Sequence, residues 1–437
     1  MPGLVVSLAL LGALLAVAII QPSRVPASAM AAVAAGLLLA TGVVDWADAR
    51  DELGLLTPVL LFLAAVLVLG AACAFEGVFV AVGGWLAEVH SGGPRLLLAV
   101  FVVAAVVTSV LSLDATVVLL TPVVLAAAGR LGVSPRPYVY ATGHVANSGS
   151  LLLPTGNLTN LLALGATGLT LVHFAGLMLL PWLGVLAVEF AVLGGYFHAE
   201  LAGPGAPTPA PADTSTFEAA PPCPPAAAGG TPAAADQPLP IFALVVLMAT
   251  LCGFVVTSIV GVEAYWAAIV GAGVLAGHTL LTGRAAPAKV VAAVDAPFLV
   301  FVMGLAVVVR AAVENGLGEA TQRLVPASES FPALLLLAVI GAMLANMVNN
   351  LPALLILLPA ASAVGSIAVL ALLIGVNLGP NLTYPGSLAT LLWRRALHQH
   401  GLVLSLRRFT LLGLLTVPSC LLVGVSALWA GGRFVGR

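Results

Sequence analysis

The side chains in this sequence that could do chemistry stand where long apolar runs break off. Asp114 is the only acid at such a break, in Ser112-Leu113-Asp114. Neutral amides and hydroxyls mark the others. Ser112, Thr116, Asn147, Ser148, Asn157, Thr159 and Asn160 come from one half of the chain. Asn346, Asn349, Asn350, Asn377, Asn381, Thr383, Ser387 and Thr390 come from the other. Asn offers donors and an acceptor in one group. Such a lining suits a small neutral polyhydroxylated solute, or an anion held by half-helix N-termini. No Arg or Lys falls at a break, so a fixed counter-charge for a dicarboxylate is missing. An acid at bilayer depth costs roughly 2.5–3.5 kcal/mol on insertion scales, which makes it a functional candidate by default. Asp114 is therefore the expected carrier of a coupling proton. The competing role is an N-cap for the apolar run 115–128, since Asp is a preferred cap.

The other ionisable groups in apolar sequence read more simply. Glu76, near the outer end of its run, is expected to snorkel, and Asp295 to cap a helix. Glu189 is either a hydrogen-bonded structural acid or a relay. His144, one turn before a break, reads as a satisfied interior histidine that could instead pass protons. His398 and His400, among Arg394, Arg395, Arg407 and Arg408, anchor a membrane surface. Cys73, Cys223, Cys252 and Cys420 are widely spaced and avoid every break, so neither a disulfide framework, a zinc site nor a thiolate site is expected. A membrane-embedded enzyme would need paired intramembrane Asp residues or HExxH, and neither is present. The chain reads as a non-enzyme without metal or cofactor.

The elements that must position these residues follow from composition. The 437 residues are 61% hydrophobic and 7% charged, against roughly 25% charged in a soluble domain. That excludes a cytosolic enzyme, a disordered chain and a nucleic-acid binder, and makes the lipid bilayer the first partner. A crossing helix needs about 20 apolar residues. Candidate spans lie at 3–20, 27–44, 55–72, 74–89, 171–197, 239–259, 264–282, 292–310 and 409–430. The first reads as a retained span, because no Lys or Arg precedes it as in a signal peptide. Four more runs are broken: 96–128, 138–164, 331–361 and 369–393. The arms of the first and third are short, which suits re-entrant hairpins. The expected fold is an all-α polytopic membrane protein of about eleven spans plus two hairpins. Threading with a cytoplasmic N-terminus puts Arg50, Arg95, Arg130, Arg136, Arg284, Lys289, Arg394, Arg395, Arg407 and Arg408 on the cytoplasmic side of the cell membrane. Arg24, Arg310, Arg323, Arg433 and Arg437 remain outside, in line with the positive-inside rule.

Residues 202–238 are Pro/Ala-rich and carry no cation, which predicts a flexible cytoplasmic linker. It divides the chain into 1–201 and 239–437. Each part carries a hairpin followed by a broken helix. NSGSLLLPTGNLTNLL from Asn147 aligns with NLGPNLTYPGSLATLL from Asn377, matching Asn147/Asn377, Gly149/Gly379, Gly156/Gly386 and Leu158/Leu388. The threading gives the copies opposite directions. Inverted repeats with discontinuous helices place a transporter's site at mid-bilayer, where the breaks meet.

The segments TSVLSLDATVVLLTPVVLA, ANSGSLLLPTGNLTNLL, LANMVNNLPA and GVNLGPNLTYPGSLATLLW resemble the ArsB-type arsenite efflux permeases. These belong to the ion-transporter superfamily that also holds divalent anion/sodium symporters. The resemblance implies inverted repeats, paired re-entrant hairpins and elevator-type movement. It also implies export of arsenite or antimonite against proton entry, at times with a soluble arsenite-stimulated ATPase, and the possibility of a homodimer. It points to Asp114, Asn147, Asn157, Asn349, Asn350 and Asn377. The first hairpin tip departs from the family, which usually has Asn-Asp where this chain has Leu113-Asp114. Arsenous acid, a neutral trihydroxy solute at physiological pH, suits an amide lining. The alternative is a superfamily permease for a carboxylate or sulfate, or a sodium/proton antiporter, with sodium as the coupling ion.

Overall fold

The computed structural model describes residues 2–20, 26–88, 93–202, 239–402 and 404–435. The expected linker lies almost wholly outside the described residues, as does Cys223. Every regular element among the described residues is helical. Eight helices are long and apolar enough to cross a bilayer by length and composition. The protein is an integral membrane protein.

Three helices open the chain: α1 (Pro2–Ile20), α2 (Ala27–Ala40) and α3 (Trp46–Phe75). A short α4 (Val78–Glu88) leads to a helical hairpin, α5 (Gly93–Val110) and α6 (Leu113–Leu131). A broken helix follows, α7 (Arg136–Ser148) and α8 (Leu158–Thr167), and then a long α9 (Leu171–Tyr196). The second part repeats the order. It has α10 (Ile241–Val260), α11 (Tyr265–Leu281) and α12 (Ala296–Ala312), short helices, and a hairpin of α13 (Phe331–Val348) and α14 (Asn350–Val364). Its broken helix is α15 (Ser366–Leu378) and α16 (Leu388–Gln399), and α17 (Leu406–Val435) closes the chain.

Contacts fix which helix ends share a side. Gly3 lies against the Asn315 amide, whose Nδ2 donates to the Val43 carbonyl at 3.4 Å. Arg310 pairs with Glu52 at 3.6 Å. Leu55 and Pro58 share a cavity with Gly168, Thr170, Gly261 and Glu263. The N-terminus, the start of α3 and the α8–α9 and α10–α11 turns therefore sit at one end of the bundle. At the opposite end, buried Glu76 accepts from Arg284, from Thr279 at 2.8 Å and pairs with His278 at 3.0 Å.

This corrects two expectations. Glu76 does not snorkel at the outer end of its run: it shares an end with Arg284 and is held by three partners. The N-terminus is at the end opposite Arg284, not beside it. The cause is local. Residues 74–89 do not make a crossing of their own, because α3 runs through Phe75 and α4 has only 11 residues. At 1.5 Å per residue that is roughly half the hydrocarbon thickness. α4 lies instead on the flank of α6, where Gly83 meets Val123.

The bundle closes on small residues. α13 and α15 cross where Gly341 faces Leu372 and Gly375 faces the Ala338 backbone. In lipid, helices gain from such close approach rather than from hydrophobic burial.

Candidate functional site

Each interruption has a distinct local cause. At the first hairpin tip, Ser112 caps α6, its Oγ accepting the Ala115 N–H at 3.2 Å. Asp114 is therefore not the cap, and no described residue hydrogen-bonds its half-buried carboxylate. One turn on, Thr116–Leu120 is wound as a π-helix, a form concentrated at functional sites. At the second tip Asn349 has φ 81° and ψ 157°. That region is glycine's, and holding another residue there costs about 1–3 kcal/mol.

The two broken helices share one construction. Each leaves its first arm through short 3-10 turns and restarts from an extended residue, Asn157 (φ −157°) or Ser387 (φ −144°). Asn157 Oδ1 accepts the Thr159 N–H at 3.3 Å, and Ser387 Oγ accepts the Ala389 N–H at 3.2 Å. Asn157 and Ser387 are 230 positions apart, the same offset as Asn147 and Asn377.

The four interruptions meet around a cavity of about 60 Å³. Its polar wall is Ser112, Asp114, Thr155, Asn157, Asn349, Asn350 and Ser387. The N-termini of α6, α8, α14 and α16 all begin at these residues. Each contributes unpaired N–H groups and a positive helix end. Asp114 is the one charged side chain in the wall. The rest is apolar, with Leu63, Val66 and Leu67 from α3 and Phe298 from α12. Asp295 caps α12, accepting the Phe298 N–H at 3.2 Å, as expected from the sequence.

The cavity thus takes Ser112, Asp114, Asn157, Asn349, Asn350 and Ser387 from the expected set. The other members are spent on protein partners. Asn377 joins the two broken helices: its Oδ1 accepts from Asn157 at 3.1 Å and Thr159 at 2.7 Å, and its Nδ2 donates to Asn160 at 2.7 Å. Asn160 in turn donates to the Leu153 carbonyl at 2.9 Å. Asn147 donates to Asn381 at 2.8 Å and Thr390 at 3.3 Å. Asn346 holds Thr383 at 2.6 Å and the Gly379 carbonyl at 2.8 Å. Thr116 meets Thr108 at 2.6 Å, and Ser148 donates to Glu189 at 2.5 Å. These residues satisfy unwound backbone and fix the breaks against each other. Both are requirements of irregular chain at membrane depth.

Sequence reasoning passed over Thr155. It lines the cavity while its hydroxyl donates to the Ser109 carbonyl at 2.5 Å. Its place inside the 147–157 break was the available signal.

Helical hairpins and broken helices meeting at a small cavity with one polar wall define a membrane transporter. The chain belongs to the citrate transporter family, CitMHS, whose model matches residues 13–382. It is 28% identical to the arsenical pump membrane protein of Yersinia enterocolitica, over 95% of this chain and 96% of that one. Its identity to the arsenical pump membrane protein of Escherichia coli K12 is also 28%, over 93% and 94%. The resemblance seen in the motifs thus extends along the whole chain. The crystal structure of the Alcanivorax borkumensis YdaH transporter, described as having an unusual topology, matches with a TM-score of 0.58 over 90% of each chain. At 16% identity it shows the shared fold alone.

Proposed function

We propose that this protein is a secondary active transporter of the cell membrane that exports arsenite or antimonite in exchange for protons. The cavity carries the reading. Its volume of about 60 Å³ holds only a few water-sized groups, at about 10–15 Å³ each. Arsenous acid, one arsenic with three hydroxyls, is of that scale; a tricarboxylate is much larger. A tricarboxylate would also need cations, and the wall has none. With Asp114 ionised, its charge offsets about half of the four positive helix ends, at about +0.5 each, leaving a polar site whose donors and acceptors suit an uncharged hydroxylated solute. Protonation of Asp114 removes that offset. Proton and solute then favour opposite states of the site, which is what antiport requires. The arsenical pump relatives point to the same solute class.

Two halves, 1–201 and 239–437, would form inverted repeats. The support is the repeated order of elements together with the end-to-end contacts, which reverse the direction of each helix relative to its counterpart. The apolar faces of α3 and α12 supply a wall with no hydrogen bonds to break, which suits an elevator-type slide of the hairpins. Assigning the cation-rich end to the cytoplasm follows the positive-inside rule. It puts Arg95, Arg136, Arg284, Arg394 and Arg395 inside, and the N-terminus outside.

The test is arsenite and antimonite tolerance of cells lacking their own exporter, with and without this protein. Uptake into inverted vesicles under an imposed proton gradient completes it. Protection with gradient-dependent uptake is expected. Uptake of citrate or another carboxylate without protection would favour the family's named substrate instead.

A further inference from the structure

Away from the cavity, α7 and α9 enclose a second ionisable group of residues. Glu189 is 1% exposed and His144 is fully buried. The Glu189 carboxylate accepts from Ser148 Oγ at 2.5 Å through Oε2 and from Asn381 Nδ2 at 2.9 Å through Oε1. His144 Nδ1 stands 3.8 Å from the same Oε1. That is ion-pair distance, too long for a hydrogen bond. Neither ring nitrogen of His144 has a partner. An imidazole without any partner is unusual in a buried site, and orphaned polar groups there call for a role.

We infer that His144 and Glu189 form a proton-binding site separate from Asp114, holding one exchangeable proton between imidazole and carboxylate; this rests on the reading of the protein as a proton-driven transporter. The proton balance is simple. With one proton beyond the bare carboxylate and neutral imidazole, the pair is neutral overall, as imidazolium–carboxylate or as imidazole–carboxylic acid. Release leaves one net negative charge, held by Ser148 and Asn381. A buried charge without an opposite charge beside it is costly, so release requires water to reach the pair.

The site lies where it can report on transport. Ser148 ends the first arm of one broken helix, and Asn381 sits in the break of the other. The proton on Glu189 therefore decides how the carboxylate bonds to both breaks at once. A route outward is marked by further orphans. Tyr140 lies one turn from His144 on α7, and both its hydroxyl and the neighbouring Trp393 Nε1 are buried without partners. The other groups facing the pair are few. Phe409 covers the His144 ring at 5.3 Å, Cys420 on α17 faces Glu189, and Arg136 and Arg408 lie within electrostatic reach of Tyr140. Among the described residues no Lys or Arg pairs with Glu189.

The test uses the purified full chain and needs no substrate. Infrared difference spectra between about pH 5 and 8 report carboxyl and imidazole protonation directly. Against Asp114→Asn, the double variant Asp114→Asn/Glu189→Gln is expected to lose the carboxyl or imidazole band of this pair. In His144→Gln the same band is expected to shift in midpoint. Asp114→Asn/Glu189→Gln with a spectrum identical to that of Asp114→Asn overturns the proposal. If Glu189→Gln does not fold, an unshifted band in His144→Gln overturns it equally. In vesicles, Glu189→Gln is expected to keep solute exchange while gradient-driven accumulation falls at least tenfold; unchanged accumulation contradicts the proposal. Because the spectra involve no solute, a wrong solute assignment leaves this result intact.

Discussion

Asn147 and Asn377 occupy equivalent positions in the two broken helices, yet replacing Asn377 with Ala should cost about twice as much as replacing Asn147. Asn377 is fully buried and its three bonds are all to side chains of the other broken helix. Removing it strands Asn160 Oδ1 and the Thr159 hydroxyl, both fully buried. Asn157, which lines the cavity, can turn to water. Each dry orphan costs about 1–3 kcal/mol, so Asn377→Ala should lose about 2–6 kcal/mol. Asn147 makes two bonds through Nδ2, while its Oδ1 is buried without a partner. Asn147→Ala strands Asn381 Oδ1 and the Thr390 hydroxyl but also deletes an orphan already present. The net of one stranded group leaves a loss of about 1–3 kcal/mol. Unfolding in detergent, followed by intrinsic fluorescence and by the monodisperse fraction after heating, ranks the variants. Equal losses, or a greater loss for Asn147→Ala, would refute the claim that Asn377 is the joint between the halves.

Asp114→Asn should keep the fold, since the carboxylate makes no hydrogen bond to a described residue, and should end proton-driven accumulation while solute exchange continues; flux that still follows the pH gradient excludes the proton role. Asn349→Gly relieves the backbone at the second tip and should stabilise the protein by about 1 kcal/mol, whereas Asn349→Ala should not. Both should weaken solute binding by removing the cavity amide, and a Gly variant no more stable than the Ala variant argues against strain at the tip. Gly375→Ala would drive a methyl group into the Ala338 carbonyl across the α13–α15 seam, with an expected loss of about 1–3 kcal/mol; a lowered melting midpoint checks it, and an unchanged one would show that the seam can open.

The class of protein was legible from composition, because a chain so poor in charge can be solvated only by lipid. The four interruptions were legible as well. Amides, Pro and Gly inside apolar runs make unwound backbone, and Ser112, Asn157 and Ser387 have the side chains that restart a helix. Direction was not legible at the N-terminus. Residues 55–72 and 74–89 have the hydropathy of two crossings, but hydropathy does not record where a helix ends, and α3 absorbs the boundary. The division of labour among the amides was also beyond the sequence. Asn157 and Asn377 are chemically identical, and only the packing of one broken helix on the other leaves the first facing the cavity and buries the second among partners. The pairing of His144 with Glu189 belongs to the same class. Two residues 45 positions apart on antiparallel helices meet only after the tertiary fold sets how each helix is rotated about its own axis.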